Sequence, residues 1–399
     1  MMELASKSLC SGCAACRAVC PKGAITMVAD AEGFLFPRVD AVRCISCGKC
    51  RKVCPVLVRG DARTPESVFA VLANDDDLRR ASSSGGVFSL LAREIFQKGG
   101  LVFGAAWDYE MLSVKMVAAQ NEDELAALRG SKYVQADIGD VYIQVARALD
   151  DGRQILFSGT PCQIAALRRV VGCARENLLT VEVVCHAAPS PLAFRKYAET
   201  RMRAAGGKKI SRIFSRSKNC SWKRYAMSLS FHDSDIAYLR FLDEDPFLRG
   251  FLSELYNRPS CHACSVRELR SGADLTIADY WSVGETLPDM DDDKGTSLVL
   301  VNTERGRAAF DAIRPLCRVR ESTFADARRV NPAIVRSPLP HTQRGAFFKA
   351  VGRTDDFDSL VARLLRPSFA RRLRRLAGRV LRRLISICRC DTFREVKKV

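Results

Sequence analysis

The sequence predicts an α+β fold in three parts. A small N-terminal module is built on cysteine, a larger body mixes strands and helices, and a basic amphipathic helix closes the chain. Three observations carry this. Two cysteine runs of identical spacing stand before residue 60. From Val68 onward, strand-like apolar runs alternate with runs of helical period. Beyond Pro367, apolar residues recur at three- and four-residue steps among arginines. At 399 residues there is room for two or three domains and a sizeable core.

The first run is Cys10, Cys13, Cys16, Cys20 and Pro21; the second is Cys44, Cys47, Cys50, Cys54 and Pro55. Two-residue gaps let three thiolates curl round one side of a cubane, and proline after the fourth suits a turn that needs no N–H. This is the run of bacterial two-cluster ferredoxins, in which the fourth cysteine of each run ligates the other run's cluster. Cys10, Cys13, Cys16 and Cys54 are therefore expected to hold one [4Fe–4S] cluster, and Cys44, Cys47, Cys50 and Cys20 the second. Zinc would want two cysteine pairs closing one tetrahedron, and a disulfide framework has no need of two identical runs. Between the runs, alternating apolar residues around Asp30–Gly33 predict a hairpin whose side chains shield the clusters. A polar linker, Val58–Pro65, follows.

In the body, strands are expected at Val68–Ala73, Leu101–Trp107, Ser113–Ala118, Gln154–Ser158 and Leu178–Val184. Helices are expected at Gly86–Lys98, Glu122–Leu128, Ile138–Leu149 and Pro161–Val171. A further region to about Val351 mixes helices (Leu192–Ala205, Glu304–Ile313) with strands (Lys209–Phe214, Ala226–Phe231, Asp274–Ala278, Ser297–Asn302). Its strand order does not follow from the pattern.

The net charge of +18 is uneven. From Arg363 to the end, thirteen Lys/Arg face only Asp391 and Glu395, which leaves +7 for the rest. In that tail Phe369, Leu373, Leu376, Val380, Leu384 and Ile387 form one helix face. Such a helix docks on an anionic membrane surface or a partner, or packs on its own domain. Nucleic acid is not expected, since no stacking aromatics accompany the arginines. With no charged-then-apolar leader before Cys10 and no bilayer-length apolar run, a reducing cytoplasm is expected, with peripheral contact at the inner membrane face through the tail.

Several smaller motifs carry chemistry. Ser82-Ser83-Ser84-Gly85-Gly86 precedes a helix, where hydroxyls and free N–H groups suit a phosphate or merely cap the helix. Gly130-Ser131-Lys132-Tyr133 offers a lysine and a phenol to an anionic cofactor, or is an ordinary loop. Gly159-Thr160-Pro161-Cys162-Gln163 joins a strand to a helix, a favoured ligand position. Cys185-His186 ends an apolar strand. Cys261-x-x-Cys264 is a dithiol pair, half a zinc site or half a cluster site; Ser265 after it excludes haem attachment. Cys162, Cys185, Cys261 and Cys264 all lie at ends of elements, and four is the number a cubane or a zinc needs. Asp274, Asp279, Tyr280 and Trp281 either face a planar ligand or close the core. The four histidines are scattered and form no nucleophile–base pair.

Taken in order, Ser84-Gly85-Gly86-Val87-Phe88, Gly130-Ser131-Lys132-Tyr133, Phe157–Gln163, Cys185-His186, Cys261-x-x-Cys264 and Asp274–Trp281 resemble the family of coenzyme F420 hydrogenase and dehydrogenase beta subunits. Here that family core is fused behind a two-cluster ferredoxin domain. The resemblance implies domains at 1–60 (ferredoxin), 66–185 (flavin-binding region) and 186–352 (the family's C-terminal region); the helical tail, 356–399, is not part of the family core. It implies a mixed α/β flavin and iron–sulfur body, with FAD near Ser84, Gly85, Gly86, Lys132 and Thr160. A third [4Fe–4S] cluster is implied on Cys162, Cys185, Cys261 and Cys264. The implied activity is electron exchange between clusters, FAD and a small organic substrate or the deazaflavin coenzyme. The alternative is an electron-transfer subunit serving a redox partner protein, a context that in bacterial fusions includes polysaccharide assembly. Ala187 stands where the family pattern has glycine.

Overall fold

The computed structural model describes residues 3–366. The expected basic helix, with Cys388 and Cys390, lies outside the described residues. Among those described, no helix is long and apolar enough to cross a membrane.

The N-terminal module follows from its cysteine spacing. Cys16 and Cys50 sit on single-turn helices, Ala15–Ala18 and Lys49–Lys52, each preceded by a left-handed residue (Ala14, φ 60°; Gly48, φ 74°) that turns the chain sharply. The expected hairpin is present: β1 (Ile25–Ala29) pairs antiparallel with β2 (Leu35–Val39). Asp30 Oδ1 accepts from the N–H groups of Glu32 and Phe34 (3.0 and 3.1 Å), which fixes the turn.

The body is organised by one nine-stranded sheet. Its strands are β3 (Ser67–Ala73), β4 (Leu101–Asp108), β5 (Ser113–Ala119), β6 (Ala136–Asp137), β7 (Ile155–Gly159), β8 (Leu178–Val183), β12 (Leu275–Asp279), β13 (Ser297–Val301) and β14 (Cys317–Ser322). The order is β14-β3-β13-β12-β8-β7-β4-β5-β6, with β12, β8, β7 and β4 parallel to one another. A separate antiparallel sheet joins β9 (Ile210–Ser217), β10 (Ala226–Phe231) and β11 (Ala237–Phe241). The large sheet is buried on both faces, so its central strands are continuously apolar rather than alternating. In β3, Phe69, Val71 and Ala73 pack to one side, and Val68, Ala70 and Leu72 to the other. Each such side chain taken fully from water contributes roughly 1.5–3 kcal/mol.

The strands and helices expected between Val68 and Val184 are all present within a few residues, as are those named beyond Ser190. The pattern does not foresee β6, β11 or β14. In β14, Arg318, Arg320 and Glu321 are exposed, as suits the edge strand of a sheet. The boundary expected at 185/186 falls inside the large sheet, whose strands come from both sides of it.

Arg258 joins the module to the body. It is 1% exposed. Its Nε donates to the Cys10 carbonyl (2.8 Å), Nη1 to Gln135 Oε1 (2.7 Å) and Nη2 to the Leu35 carbonyl (3.0 Å). The guanidinium lies 4.2 Å from the Phe36 ring centroid. Gly12 (φ +69°) lets the chain pass: a Cβ there would meet Arg258 Nη1 at 2.8 Å. The Arg344–Glu32 ion pair and Arg17–Asp140 (2.8 Å) add further ties.

Arg258→Gln strands acceptors on both sides of this seam, at about 3 kcal/mol. That raises the undocked population roughly 100-fold. Hydrogen exchange in β1 and β2, with proteolysis between Val58 and Glu66, is expected to accelerate accordingly. Unchanged protection would show that Arg258 does not hold the seam.

Candidate functional site

The C-terminal ends of β3, β7, β8 and β12, and the start of β13, share one edge of the large sheet. A cavity of about 770 Å³ opens there, within the range of cofactor sites. Ligands favour this end of parallel strands because the helices that follow begin there.

Cys162 lies in the first turn of helix Pro161–Val171, directly after β7, and Cys185 follows β8, the neighbouring strand. Cys261 and Cys264 are carried by the turn at Pro259–Ala263 that Arg258 anchors. All four line the cavity. Burial pushes the Cys185 thiol far up, and the charges of Cys261, Cys162 and Cys264 add to it while Arg267 opposes them. Burial likewise raises Cys261, to about 12, with Cys162 and Cys264 contributing. The four thiols thus line a common space, and those of Cys162, Cys185 and Cys261 resist ionisation until a cation compensates, as metal-binding thiols do.

In the N-terminal module burial raises the Cys16 thiol to about 12, and the charges of Cys10, Cys54 and Cys50 add to it. Cys20, Cys44, Cys47 and Cys50 line a separate hollow. Among the described residues no three or more His, Cys, Asp or Glu side chains are arranged for a single metal ion. A cubane binds each thiolate to a separate iron and spreads them wider than one zinc does, so the thiol sets fit clusters. Burial raises Cys13, and the next thiol charge it meets is Cys162, ahead of Cys16. Cys13 of the module lines the same cavity as Cys162 of the body.

The serine–glycine loop lines the same cavity. Gly85 is required there, since a Cβ would strike the Val71 carbonyl oxygen at 2.2 Å. Its N–H donates to Ser297 Oγ (2.9 Å), and the Ser84 hydroxyl donates to the Thr296 carbonyl (2.7 Å). Both groups therefore fasten the loop to β13. Helix Val87–Gln97 begins after Gly86 (φ 95°) with no side-chain cap, so the serines do not cap it. Lys132 Nζ donates to the Arg129 and Gly130 carbonyls (2.8 and 3.2 Å). Its partial exposure is into the cavity. Desolvation pulls its pKa down to about 7, and among the described residues it has no carboxylate partner. Lys218 holds Ser84 from behind through the Ser84 carbonyl (3.1 Å). A buried cation with no counter-charge, beside a cavity of this size, fits the phosphates of a dinucleotide. Thr160 also lines the cavity, but its hydroxyl lies 3.3 Å from Cys162 Sγ and so serves the thiol.

The strand-end residues separate into two roles. Asp274 accepts from Thr180 N (2.8 Å), Thr180 Oγ1 (2.6 Å) and Thr303 Oγ1 (2.9 Å), and Tyr280 bonds Ser322 Oγ (2.7 Å); these two close the core. Asp279 and Trp281 face the cavity. Asp279 pairs with Arg216 and accepts from Trp222 Nε1 (3.1 Å). Trp222 stacks on Trp281 with centroids 5.1 Å apart. Arg216 lies 4.5 Å from the Tyr225 ring and 5.0 Å from Trp281. Burial works against the Arg216 charge, but Asp279 and the phenols of Tyr133 and Tyr225 outweigh it, and its pKa is raised. Arg216, Trp222 and Arg258 were missed from sequence. The one signal was a cation three residues before Cys261.

These features coincide with known proteins. Residues 9–58 match the 4Fe-4S dicluster domain, and residues 152–324 match the family described as the C terminus of the coenzyme F420 hydrogenase/dehydrogenase beta subunit. The chain is thus an iron–sulfur protein. Its residues 152–324 are similar to the C-terminal region of coenzyme F420 hydrogenase/dehydrogenase beta subunits, and the dicluster domain stands in front of them. A curated relative, the F subunit of the F(420)H(2) dehydrogenase from Methanosarcina mazei, is 24% identical over 194 residues, 44% of this chain. The match spans 51% of that relative's length. A chain of the xenon-derivatised F420-reducing [NiFe] hydrogenase complex from Methanosarcina barkeri aligns with TM-score 0.47 at 16% identity, over 68% of this chain and 90% of that one.

Asp279→Ala leaves the Arg216 charge buried and unpaired, at about 3–5 kcal/mol. Near-UV circular dichroism of the stacked tryptophans is expected to be lost at correspondingly lower denaturant. Adding Arg216→Met should recover much of the loss; a double variant no better than the single would refute the pairing.

Proposed function

We propose that the chain is an iron–sulfur flavoprotein oxidoreductase. It passes electrons between an external carrier, three [4Fe–4S] clusters, FAD and a small organic substrate, with a reduced or oxidised deazaflavin as one candidate. The observation that carries this reading is the cavity itself: Cys13 of the dicluster module, Cys162 of the body, the serine–glycine loop and Lys132 all line it. FAD, when bound, supplies the exchange between electron pairs and single electrons that such a route needs. In this reading Cys162, Cys185, Cys261 and Cys264 hold the third cluster. Lys132, beside the loop that Ser84 and Gly85 fasten to β13, holds the phosphates, and Thr160 orients Cys162. The seam at Arg258 keeps water from the space between module and body. A redox partner protein is part of the proposal, and the relative's printed name, one subunit of a dehydrogenase, favours it.

Anaerobic reconstitution is expected to give about twelve irons per chain, and Cys162→Ala about four fewer. Eight irons in both would remove the third cluster. For the flavin the pH dependence is specific. Lys132 in the free site titrates at about 7, and a bound phosphate raises that value. FAD affinity is therefore full below pH 7 and falls as pH rises above it, by up to about tenfold per unit until the bound value is reached. Lys132→Met should bind weakly and without this slope. A wild-type affinity that stays flat from pH 6 to 9 in fluorescence titrations would contradict the assignment.

A further inference from the structure

We infer that the exposed face around Cys47 is the docking surface for an acidic one-electron carrier protein. The inference rests on the proposed function, in that it needs the second set of N-terminal cysteines to carry a cluster.

The two ends of the module differ in setting. Cys13 is turned to the body, where it lines the same cavity as Cys162. The hollow lined by Cys20, Cys44, Cys47 and Cys50 faces away, and Cys47 is exposed. A carrier that exchanges electrons with the chain through its N-terminal module must approach from this side. The surface there has the anatomy of a protein interface. Val42 is 96% exposed and Ile45 56%, and they flank the hollow as an apolar tip. Lys22, Arg43, Lys49 and Lys52 are exposed around it. Arg43 Nη2 donates to the Lys22 carbonyl (2.8 Å), which puts those two on one side. Lys49 and Lys52 share the single-turn helix on the other. Among the described residues none of the four has an acidic partner. The nearby Asp40 spends its carboxylate on the N–H groups of Val42 and Arg43 (2.9 and 3.3 Å).

An apolar tip ringed by unpaired cations is complementary to a small acidic protein that shows its own redox centre at an apolar patch. Two exposed aliphatic side chains are too few for a lipid anchor. The stretch from 38 to 54 has no aromatic residue on which a base could stack. Each productive encounter oxidises the carrier by one electron and reduces the chain by one; no bond forms and no proton moves.

The test uses the full reconstituted chain and an acidic plant-type [2Fe–2S] ferredoxin, with association followed at low salt and at high salt. Wild type is expected to associate roughly tenfold or more faster at low salt. Lys22→Glu/Lys49→Glu/Lys52→Glu should lose that advantage and match wild type at high salt. Lys52→Gln alone, the milder variant with wild-type iron content, should fall between them. Equal low-salt rates for wild type and both variants, no association at all, or lysine-dependent binding to phosphatidylglycerol vesicles instead of ferredoxin would each overturn the docking surface. Dithionite separates the two readings. If it bleaches the wild-type clusters normally while ferredoxin fails to bind, docking alone is wrong. If it bleaches nothing, the iron–sulfur reading falls as well.

Discussion

The buried guanidinium of Arg258 is the interaction on which the rest depends. It is held at once by the Cys10 carbonyl of the N-terminal module, by Gln135 of the body and by the Leu35 carbonyl of the hairpin. Its own backbone begins the turn that carries Cys261 and Cys264. One side chain therefore sets both the docking of the module and the position of half the body's cysteine set. The cost of burying a charge there is offset by three hydrogen bonds and the Phe36 ring. Without that seam the thiols of the module and those of the body have no fixed relation.

The large sheet does the remaining positioning. Parallel strands deliver their C-terminal ends to one edge, so Cys162, Cys185 and Asp279 arrive there from β7, β8 and β12 without any long loop having to hold them. The antiparallel pairing of β3 with β13 brings the serine–glycine loop to the same edge, where Gly85 lies against Val71 and Ser297. The thiols and the serine–glycine loop thus line one cavity.

Much of this was legible in the sequence, for local reasons. The doubled cysteine run marks the dicluster domain that residues 9–58 match. Buried strands such as β3, β7 and β8 are continuous apolar runs, and helix Pro161–Val171 begins on a Thr-Pro signal. The ordered set of short motifs pointed to the family that the comparisons then found. What escaped were contacts with no local signature. Arg258 reaches partners 123 and 248 residues away, and Arg216 finds Asp279 across 63 residues. β14 escaped because an edge strand bearing charges on both faces has no apolar period. The roles of Ser84 and Gly85 as fasteners depend on β13, which no reading of their own neighbourhood reveals.

The central claim is that the dicluster module is wired into the body cavity through Cys13 and Cys162. Electron paramagnetic resonance of the fully reduced, anaerobically prepared chain tests it most directly. The module's two reduced clusters already couple to each other, so a third cluster across that junction must add further broadening, and Cys162→Ala must return the spectrum to that of the isolated two-cluster module. A wild-type spectrum identical to that of the isolated module, unchanged by the substitution, would contradict the wiring.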